Sequence, residues 1–311
     1  MEMTNGNLPK GIWGTVLLPV DGRGEIDFGA LREEIAILCA SGLDGIYSNG
    51  TAGEFHNQTE AEYEKIVTIV AEGARGAGCP FQVGVSHTNP RIARDRLRRL
   101  TPLAPSGVQF ILPDWWTPSD PEIVHFADGM QDAAAGVPLI LYNPPHAKRK
   151  LTIDEIANLR KRMPNLVGTK LAGGDEAWYR ERRALLPDFS VFVPGHTVAF
   201  GRPRGADGAY SNVACLSPRG ALLHWQLAEE DPERATELEK RIVSFMQQWI
   251  IPLISSHGLS NIALDKMMAA IGGWGPVSER LLWPYISAPT EALNEAREHY
   301  NKMLPEFAPL F

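Results

Sequence analysis

The chain has 311 residues, 44% of them hydrophobic and 22% charged, which is an ordinary composition for a globular protein of one large domain or two smaller ones. Its net charge of −7, with no basic run, argues against a nucleic-acid-binding surface. The most apolar stretch, residues 242–254, is interrupted by Pro252 and two glutamines, so we expect no membrane span.

The N-terminal segment and the cysteines indicate the compartment. The first seven residues, MEMTNGN, lack the basic-then-apolar pattern of a targeting signal. The three cysteines, Cys39, Cys79 and Cys215, show no spacing typical of a metal site or a disulfide framework. An odd number of cysteines without a framework is typical of a reducing compartment. We therefore predict a cytoplasmic protein with free thiols.

The first predicted strand, residues 12–20, is apolar and ends at an Asp-Gly turn. Asp27 follows as a candidate cap of the first helix, and a second strand covers residues 45–48. A glycine-bracketed loop then leads to Thr59, which forms a capping-box sequence with Glu62 at the start of the second helix.

The same alternation continues along the chain. Six more strands are predicted, at residues 81–85, 108–112, 139–142, 167–170, 189–193 and 208–211. Segments of helical pattern separate them, and Asn89, Thr152 and Ser217 stand at predicted helix starts.

Eight short apolar strands that alternate with helices predict parallel pairing. Eight such units favour a closed barrel over an open doubly wound sheet, and no Gly-x-Gly-x-x-Gly motif follows an early strand. We therefore predict an α/β fold, a (β/α)8 TIM barrel over residues 1–230. Residues 231–311 are predicted to form three further helices, a C-terminal helical extension that packs on the barrel or on a partner chain.

Polar side chains close several of the predicted strands, and in a barrel of this kind catalytic groups lie at the carboxyl ends of strands. Lys170 closes the sixth strand and Tyr142 closes the fifth, so their polar atoms can meet above the barrel. A lysine at the end of a buried strand either extends to solvent or is an amine kept neutral by burial, which can attack a carbonyl.

The other strand ends have structural alternatives. The glycine-bracketed loop at residues 50–54 is either a tight turn or a set of backbone N–H groups that receives a carboxylate. The pair Trp115 and Trp116 is either an apolar lid or an oligomer contact. Three histidines follow strands three, five and seven, but their spacing is irregular and we expect no metal site. They are His87, His146 and His196.

Three motifs resemble, in order and spacing, those of the dihydrodipicolinate synthase and N-acetylneuraminate lyase superfamily: GTAGE at residues 50–54, YNPP at 142–145 and GTK at 168–170. The resemblance implies that Lys170 forms a Schiff base with pyruvate or another 2-oxo acid, with Tyr142 and Thr51 as the other catalytic residues. It implies no cofactor beyond this covalent imine, and a homo-oligomer, a dimer or tetramer. Substrate-binding roles are expected for Gly50, Ala52, Glu54, Trp115, Asn143 and Tyr210.

The sequence departs from the family pattern where the second substrate binds. Ala52 stands where the family has a second hydroxyl residue, Trp115 where the synthase has a proton-relaying tyrosine, and Ala147 where it has an arginine. Glu60 and Tyr63 occupy the positions of the histidines in the family's allosteric lysine site. These replacements argue against an authentic dihydrodipicolinate synthase and against feedback by lysine.

We therefore predict a Schiff-base lyase or aldolase that acts on pyruvate or a pyruvate-derived 2-oxo acid, by aldol cleavage, condensation or dehydration. One finer alternative is a hydratase-aldolase of arylidene pyruvates, in which Trp115 and Trp116 stack on an aromatic aldehyde. Another is a sugar-acid aldolase or dehydratase, in which the histidines bind hydroxyls. From other classes, a metal-dependent barrel hydrolase and a non-catalytic 2-oxo acid binder stay open, as do the physiological substrate and the direction of reaction.

Overall fold

A computed structural model of the chain describes residues 8–308. The first seven residues, for which the sequence predicts no targeting signal, lie outside the described residues, as do residues 309–311. The described residues form a closed barrel of eight parallel strands. The strands are β1 (Gly11–Thr15), β2 (Gly45–Ser48), β3 (Phe81–Gly84), β4 (Gly107–Phe110), β5 (Leu139–Tyr142), β6 (Leu166–Lys170), β7 (Ser190–Phe192) and β8 (Gly208–Tyr210).

Helices follow the strands in the order that the sequence predicts. Those of the barrel are α1 (Phe28–Ala40), α2 (Glu60–Ala77), α3 (Pro90–Leu100), α4 (Asp120–Ala134), α5 (Ile153–Arg162), α6 (Glu176–Leu185), α7 (Val198–Gly201), α8 (Asn212–Leu216) and α9 (Pro218–Glu230). Those of the extension are α10 (Pro232–Phe245), α11 (Leu253–His257), α12 (Asn261–Gly272) and α13 (Thr290–Met303). No helix among these residues is both long and apolar enough to cross a bilayer.

The predicted helix starts are formed by side chains that satisfy the first backbone N–H groups. The Asp27 carboxylate accepts from the N–H groups of Gly29 and Ala30. Thr59 forms a capping box with Glu62, and Thr152 is the N-cap of a second capping box. The helix positions are therefore set by local sequence, which is why they could be predicted.

The barrel closes because β1 pairs on both sides, so that Trp13 is in register with Gly45 of β2 and with Tyr210 of β8. On the opposite side, Tyr142 of β5 is in register with Lys170 of β6. The large hydrophobic core lies between the strands and the surrounding helices, and a smaller aromatic cluster fills the barrel itself. This cluster consists of Trp13, Tyr47, Ile140, Phe192 and Tyr210.

Apart from shifts of one or two residues in the bounds of several strands, two details differ from the prediction. β1 ends at Thr15 and not at Val20, because the Leu17 N–H donates to the Glu34 carboxylate and not to a neighbouring strand. The extension contains four α-helices and not three, because a π-helical turn at Met246–Ile250 and then Pro252 separate α10 from α11.

Two hydrogen bonds join the C-terminal extension to the barrel. Ser217, at the start of α9, donates to the Phe307 carbonyl, and the Lys266 amine of α12 donates to the Leu18 carbonyl just beyond β1. α12 therefore lies at the carboxyl end of the barrel. The division of the chain at residues 230 and 231 stays a prediction.

Candidate active site

Lys170 and Tyr142 form the centre of the site because their strands hold them side by side. Their Cα atoms are register partners, and the Lys170 Nζ lies 4.4 Å from the centroid of the Tyr142 ring. The same Nζ lies 5.6 Å from the centroid of the Tyr210 ring, which belongs to the aromatic cluster inside the barrel. The lysine amine is thus enclosed by two aromatic rings at the end of the barrel where active sites of this fold occur.

The amine of Lys170 is poorly solvated. Burial lowers its pKa from the ordinary lysine value to about 8, and the charge of Asp265 acts in the opposite direction. A substantial fraction of the amine is therefore neutral near physiological pH. A neutral amine is the form that attacks a carbonyl.

The pKa of the Tyr142 phenol is raised, whereas that of the Lys170 amine is lowered. Burial and the charge of Asp265 together raise its pKa to about 12, although a hydrogen bond with the Thr51 side chain acts in the opposite direction. The phenol is therefore protonated at neutral pH and can donate a proton or a hydrogen bond next to the Lys170 amine. Thr51, Tyr142 and Lys170, the three predicted catalytic residues, are brought together.

The loop that carries Thr51 is held in an unusual backbone conformation. Asn49 and Glu54, which flank it, both have left-handed φ values near 55°. Gly50 is required by close packing, because a Cβ there would lie 2.4 Å from the Tyr47 ring. Among the described residues, the N–H groups of Thr51 and Ala52 donate to no other group of the chain, so they are available to a carboxylate.

Glu54, which the sequence assigns to substrate binding, faces away from this loop. Its carboxylate is fully buried, lies 3.1 Å from the Lys266 Nζ and accepts from the Leu282 N–H at 3.0 Å. A carboxylate engaged in this way is not presented to a substrate. The structure gives Glu54 the role of tying the loop to the C-terminal extension, and no simple sequence spacing reveals that partner.

Three other predicted substrate-binding residues lie around the site in different ways. The Asn143 side chain spans the loop after β5, donating to the Arg149 carbonyl and accepting from the Leu151 N–H. Tyr210 lies under the lysine, with its hydroxyl donating to Gln82. Trp115 is 78% exposed, and its ring does not cover Lys170.

A cavity of about 180 Å³ opens beside Thr51 and Tyr142. Its polar lining includes Asp114, His146 and His56, whose Nε2 atom is buried without a hydrogen-bond partner in the described part of the chain. The other lining residues include Phe55, Pro144, Ala147 and Arg149. Lys170 does not line this cavity, but Tyr142, whose ring lies beside the Lys170 amine, does.

The histidines that the sequence singles out do not come together. His87 accepts from the Asn89 N–H at 2.9 Å, and the His196 ring lies 2.9 Å from the Asn212 amide. His146 alone of the three lines the cavity. Within residues 8–308, no three His, Cys, Asp or Glu side chains are grouped as metal ligands would be.

Two residues of the site are absent from the sequence-based prediction. His56 lies in a 3-10 turn after the glycine-bracketed loop, outside any strand end. Asp265 lies in α12, and its charge acts on both Lys170 and Tyr142. The only sequence signal for Asp265 is a charged pair, Asp265 and Lys266, in an otherwise apolar helix.

Comparison with known proteins relates this geometry to a family. A family model described as the dihydrodipicolinate synthetase family matches residues 8–300. The N-acetylneuraminate lyase of Citrobacter koseri is 29% identical over 211 residues, which cover 66% of this chain and 69% of the lyase.

Two solved structures share the fold. One is YagE, a prophage protein of the dihydrodipicolinic acid synthase family from E. coli K12 in complex with pyruvate. It matches with a TM-score of 0.83 and 20% identity, and the match covers 94% of this chain and 98% of YagE. The other is the sialic acid aldolase of Ruminococcus gnavus, with a TM-score of 0.82 and 19% identity over 96% of this chain and 99% of the aldolase.

Proposed function

The chain belongs to the dihydrodipicolinate synthetase family of class I lyases, which act through a lysine Schiff base, and we propose that Lys170 is that lysine. The observation that carries the assignment is its buried amine, with a pKa lowered to about 8, held against Tyr142 by strand register. The substrate is a small 2-oxo acid, pyruvate or a derivative of it. No cofactor is needed, because the covalent imine serves as the electron sink.

The proposed chemistry follows from the positions of three groups. The N–H groups of Thr51 and Ala52 hold the carboxylate of the 2-oxo acid, and the neutral Lys170 amine adds to its C2 carbonyl. Loss of water gives the imine, which accepts the electron pair of a bond that breaks beta to it. Tyr142 donates and accepts the protons that move in these steps, assisted by its hydrogen bond with Thr51.

The second substrate is proposed not to be that of dihydrodipicolinate synthase. Ala147 offers no positive charge to it, and Arg149 is already bound to Asp120 at 2.9 Å and to Glu155 at 2.5 Å. Glu60, at a position of the family's lysine-binding site, forms ion pairs with Arg96 and Arg99 inside this chain. Both observations support a different substrate and no feedback by lysine.

A hydroxylated substrate, such as a 2-keto-3-deoxy sugar acid, fits the cavity better than an aromatic one. His56, Asp114 and His146 offer hydrogen-bonding groups along its wall. Trp115 and Trp116, which would stack on an aromatic aldehyde, are 78% and 80% exposed and give less support to an arylidene pyruvate.

Released pyruvate, measured with lactate dehydrogenase and NADH, tests the proposed function. A panel would contain 2-keto-3-deoxy sugar acids, N-acetylneuraminate and arylidene pyruvates. We expect at least one sugar acid to be cleaved about tenfold faster than any arylidene pyruvate, and Lys170→Ala to reduce turnover to background. Faster turnover of an arylidene pyruvate would reverse the substrate assignment, and an active Lys170→Ala enzyme would remove the Schiff-base mechanism.

A further inference from the structure

The cavity beside Thr51 and Tyr142 lies where the far end of a substrate would extend. Under the proposed function, the carbon atoms of the pyruvate unit lie between the Lys170 amine and the N–H groups of the Thr51 loop. The Tyr142 ring lies 4.4 Å from the Lys170 Nζ and also lines the cavity together with Thr51. An aldehyde that joins C3 of the pyruvate unit, or the chain that leaves it, therefore occupies this cavity. The charges on its wall decide which aldehydes are accepted.

Asp114 places a negative charge on this wall. It follows β4 and is the one carboxylate among the described residues that line the cavity. Its Oδ1 atom accepts from the Lys148 N–H at 3.2 Å, which joins the loops after β4 and β5. Lys148 does not line the cavity, and its Nζ donates to the Trp115 carbonyl at 2.7 Å. Within the described part of the chain, the Asp114 carboxylate has no ion-pair partner, and its Oδ2 atom accepts no hydrogen bond.

The cationic side chain on the wall does not offset this charge. Arg149 lines the cavity, but its Nη2 lies 2.9 Å from an Asp120 oxygen and 2.5 Å from a Glu155 oxygen. Two carboxylates thus already offset its positive charge. The His56 imidazole, also on the wall, is neutral at pH 7, because burial lowers its pKa below the ordinary histidine value. Among the described residues, no arginine or lysine on the cavity wall is therefore free to bind a carboxylate.

A second carboxylate on the substrate would be unfavourable in such a cavity. It would lose part of its hydration, meet no free arginine or lysine and be repelled by the Asp114 charge. A hydroxyl group or an ammonium group, in contrast, can donate to the Asp114 Oδ2 atom. The wall therefore attracts one class of aldehyde and repels another, which is how a binding site discriminates between partners.

We propose that Asp114 selects aldehydes that carry no carboxylate, a specificity role that rests on the proposed function of Lys170. The preferred substrates are then 2-keto-3-deoxy acids whose far end is hydroxylated and uncharged, and not the diacids of the same carbon skeleton. The charge on the wall is thus opposite to the one that an arginine at the position of Ala147 would provide.

Condensation of pyruvate with two matched aldehydes tests this selection. Glyceraldehyde and tartronate semialdehyde differ only in their last carbon, which is a CH2OH group in the first and a carboxylate in the second. In each reaction C3 of the lysine-bound enamine adds to the aldehyde carbon, the aldehyde oxygen takes up a proton, and water releases the 4-hydroxy-2-oxo acid from the lysine. Liquid chromatography with mass spectrometry measures both products. We expect kcat/KM for glyceraldehyde to exceed that for tartronate semialdehyde by at least about tenfold.

Asp114→Asn removes the charge but keeps an oxygen that can accept from the Lys148 N–H. We expect this variant to lower the ratio of the two kcat/KM values by about tenfold, mainly through a lower KM for tartronate semialdehyde. Asp132→Asn is the matched control, because Asp132 is an exposed aspartate near the end of α4 and does not line the cavity. It should leave the ratio within about twofold of wild type.

The salt dependence of the wild-type enzyme gives an independent result, which does not require a variant to fold. Repulsion between charges weakens as the ionic strength rises, so the ratio for wild type should fall between about 20 mM and about 500 mM KCl, whereas that of Asp114→Asn should not change. A purely structural role of Asp114 would not produce this difference.

The outcomes separate the two proposals. If pyruvate with borohydride does not modify Lys170 and neither aldehyde is condensed, the proposed function fails. If Lys170 is modified but neither aldehyde is condensed, if both aldehydes are used equally well, or if Asp114→Asn keeps the wild-type ratio, the charge selection is overturned and the assignment of Lys170 stands.

Discussion

Lys170 and Lys266 differ in the groups that surround their amines. Lys266 is fully buried, but a carboxylate and two backbone carbonyls surround its amine. Lys170 is enclosed by the rings of Tyr142 and Tyr210, and no carboxylate of the described residues lies within 4 Å of it. The first arrangement stabilises a charge, whereas the second favours the neutral amine. Burial alone therefore does not distinguish a structural lysine from a nucleophile.

The lowered pKa of Lys170 predicts its reactivity toward small amine reagents. We expect labelling by acetic anhydride, followed by peptide mass spectrometry, to rise through a midpoint near pH 8, since only the neutral amine reacts. The exposed Lys240 is labelled in the same sample and serves as an internal reference. A Lys170 midpoint equal to that of Lys240 would show that the barrel does not depress its pKa.

Tyr142→Phe should separate binding from proton transfer. The variant keeps the ring beside Lys170 but loses the phenol that hydrogen-bonds Thr51. We predict that kcat falls by about 10² to 10³ while borohydride with pyruvate still modifies Lys170. Steady-state kinetics and trapping on the same preparation measure the two effects. A kcat close to that of wild type would assign the proton transfers to another group.

At the level of single residues, the sequence predicts those groups that occupy strand ends. Lys170, Tyr142 and Thr51 follow from the barrel pattern, because the carboxyl ends of parallel strands share one face. Asp265 could not be predicted in this way, because α12 lies 91 residues or more along the chain from Lys170 and only tertiary packing brings it over the barrel. The exposure of Trp115 likewise depends on the path of its loop and not on its residue type.

At the level of elements, α12 and the loop after β2 depend on each other. Lys266 of α12 and Glu54 of the loop are both fully buried and form an ion pair. Since Glu54 has a left-handed backbone conformation three residues after Thr51, the ion pair also fixes the loop that we propose as the binding site of the substrate carboxylate. The C-terminal extension is thus part of the support of the proposed site.

Lys266→Met should therefore destabilise the fold. It leaves the Glu54 carboxylate buried without its cation, and breaking a buried pair in this way costs about 3–5 kcal/mol. Urea denaturation would measure the loss in the free energy of unfolding. The double variant with Glu54→Gln should recover more than half of it, because no charge is then left unpaired. Equal stability of the single and double variants would show that the pair is not coupled.

Helices were predicted better than strand ends for a physical reason. Caps such as Asp27 and Thr59 accept hydrogen bonds from backbone N–H groups only two or three residues further along the chain. The sequence around each cap is therefore enough to predict where its helix starts. A strand ends where its neighbour stops pairing, and for β1 that point is set by Glu34, which lies 17 positions away from Leu17 in the sequence.

At the level of the whole molecule, the chain exposes several large aromatic side chains at the active-site end of the barrel. Trp115 and Trp116 follow β4, and Trp283 lies in the segment beyond α12; each is at least 78% exposed. Aromatic side chains are enriched where proteins contact one another. We predict a dimer or tetramer in solution, and light scattering checks this directly. A monomer at micromolar concentration would contradict the prediction.

The central claim, that Lys170 forms a Schiff base with a 2-oxo acid, is tested most directly by reductive trapping with peptide mapping. The protein is incubated with pyruvate and borohydride, digested, and analysed for a 1-carboxyethyl group on each lysine. The account predicts one modification, on Lys170, and none on the fully buried Lys266, whose amine is held by Glu54 and two carbonyls. An unmodified Lys170, or modification of another lysine in its place, would contradict it.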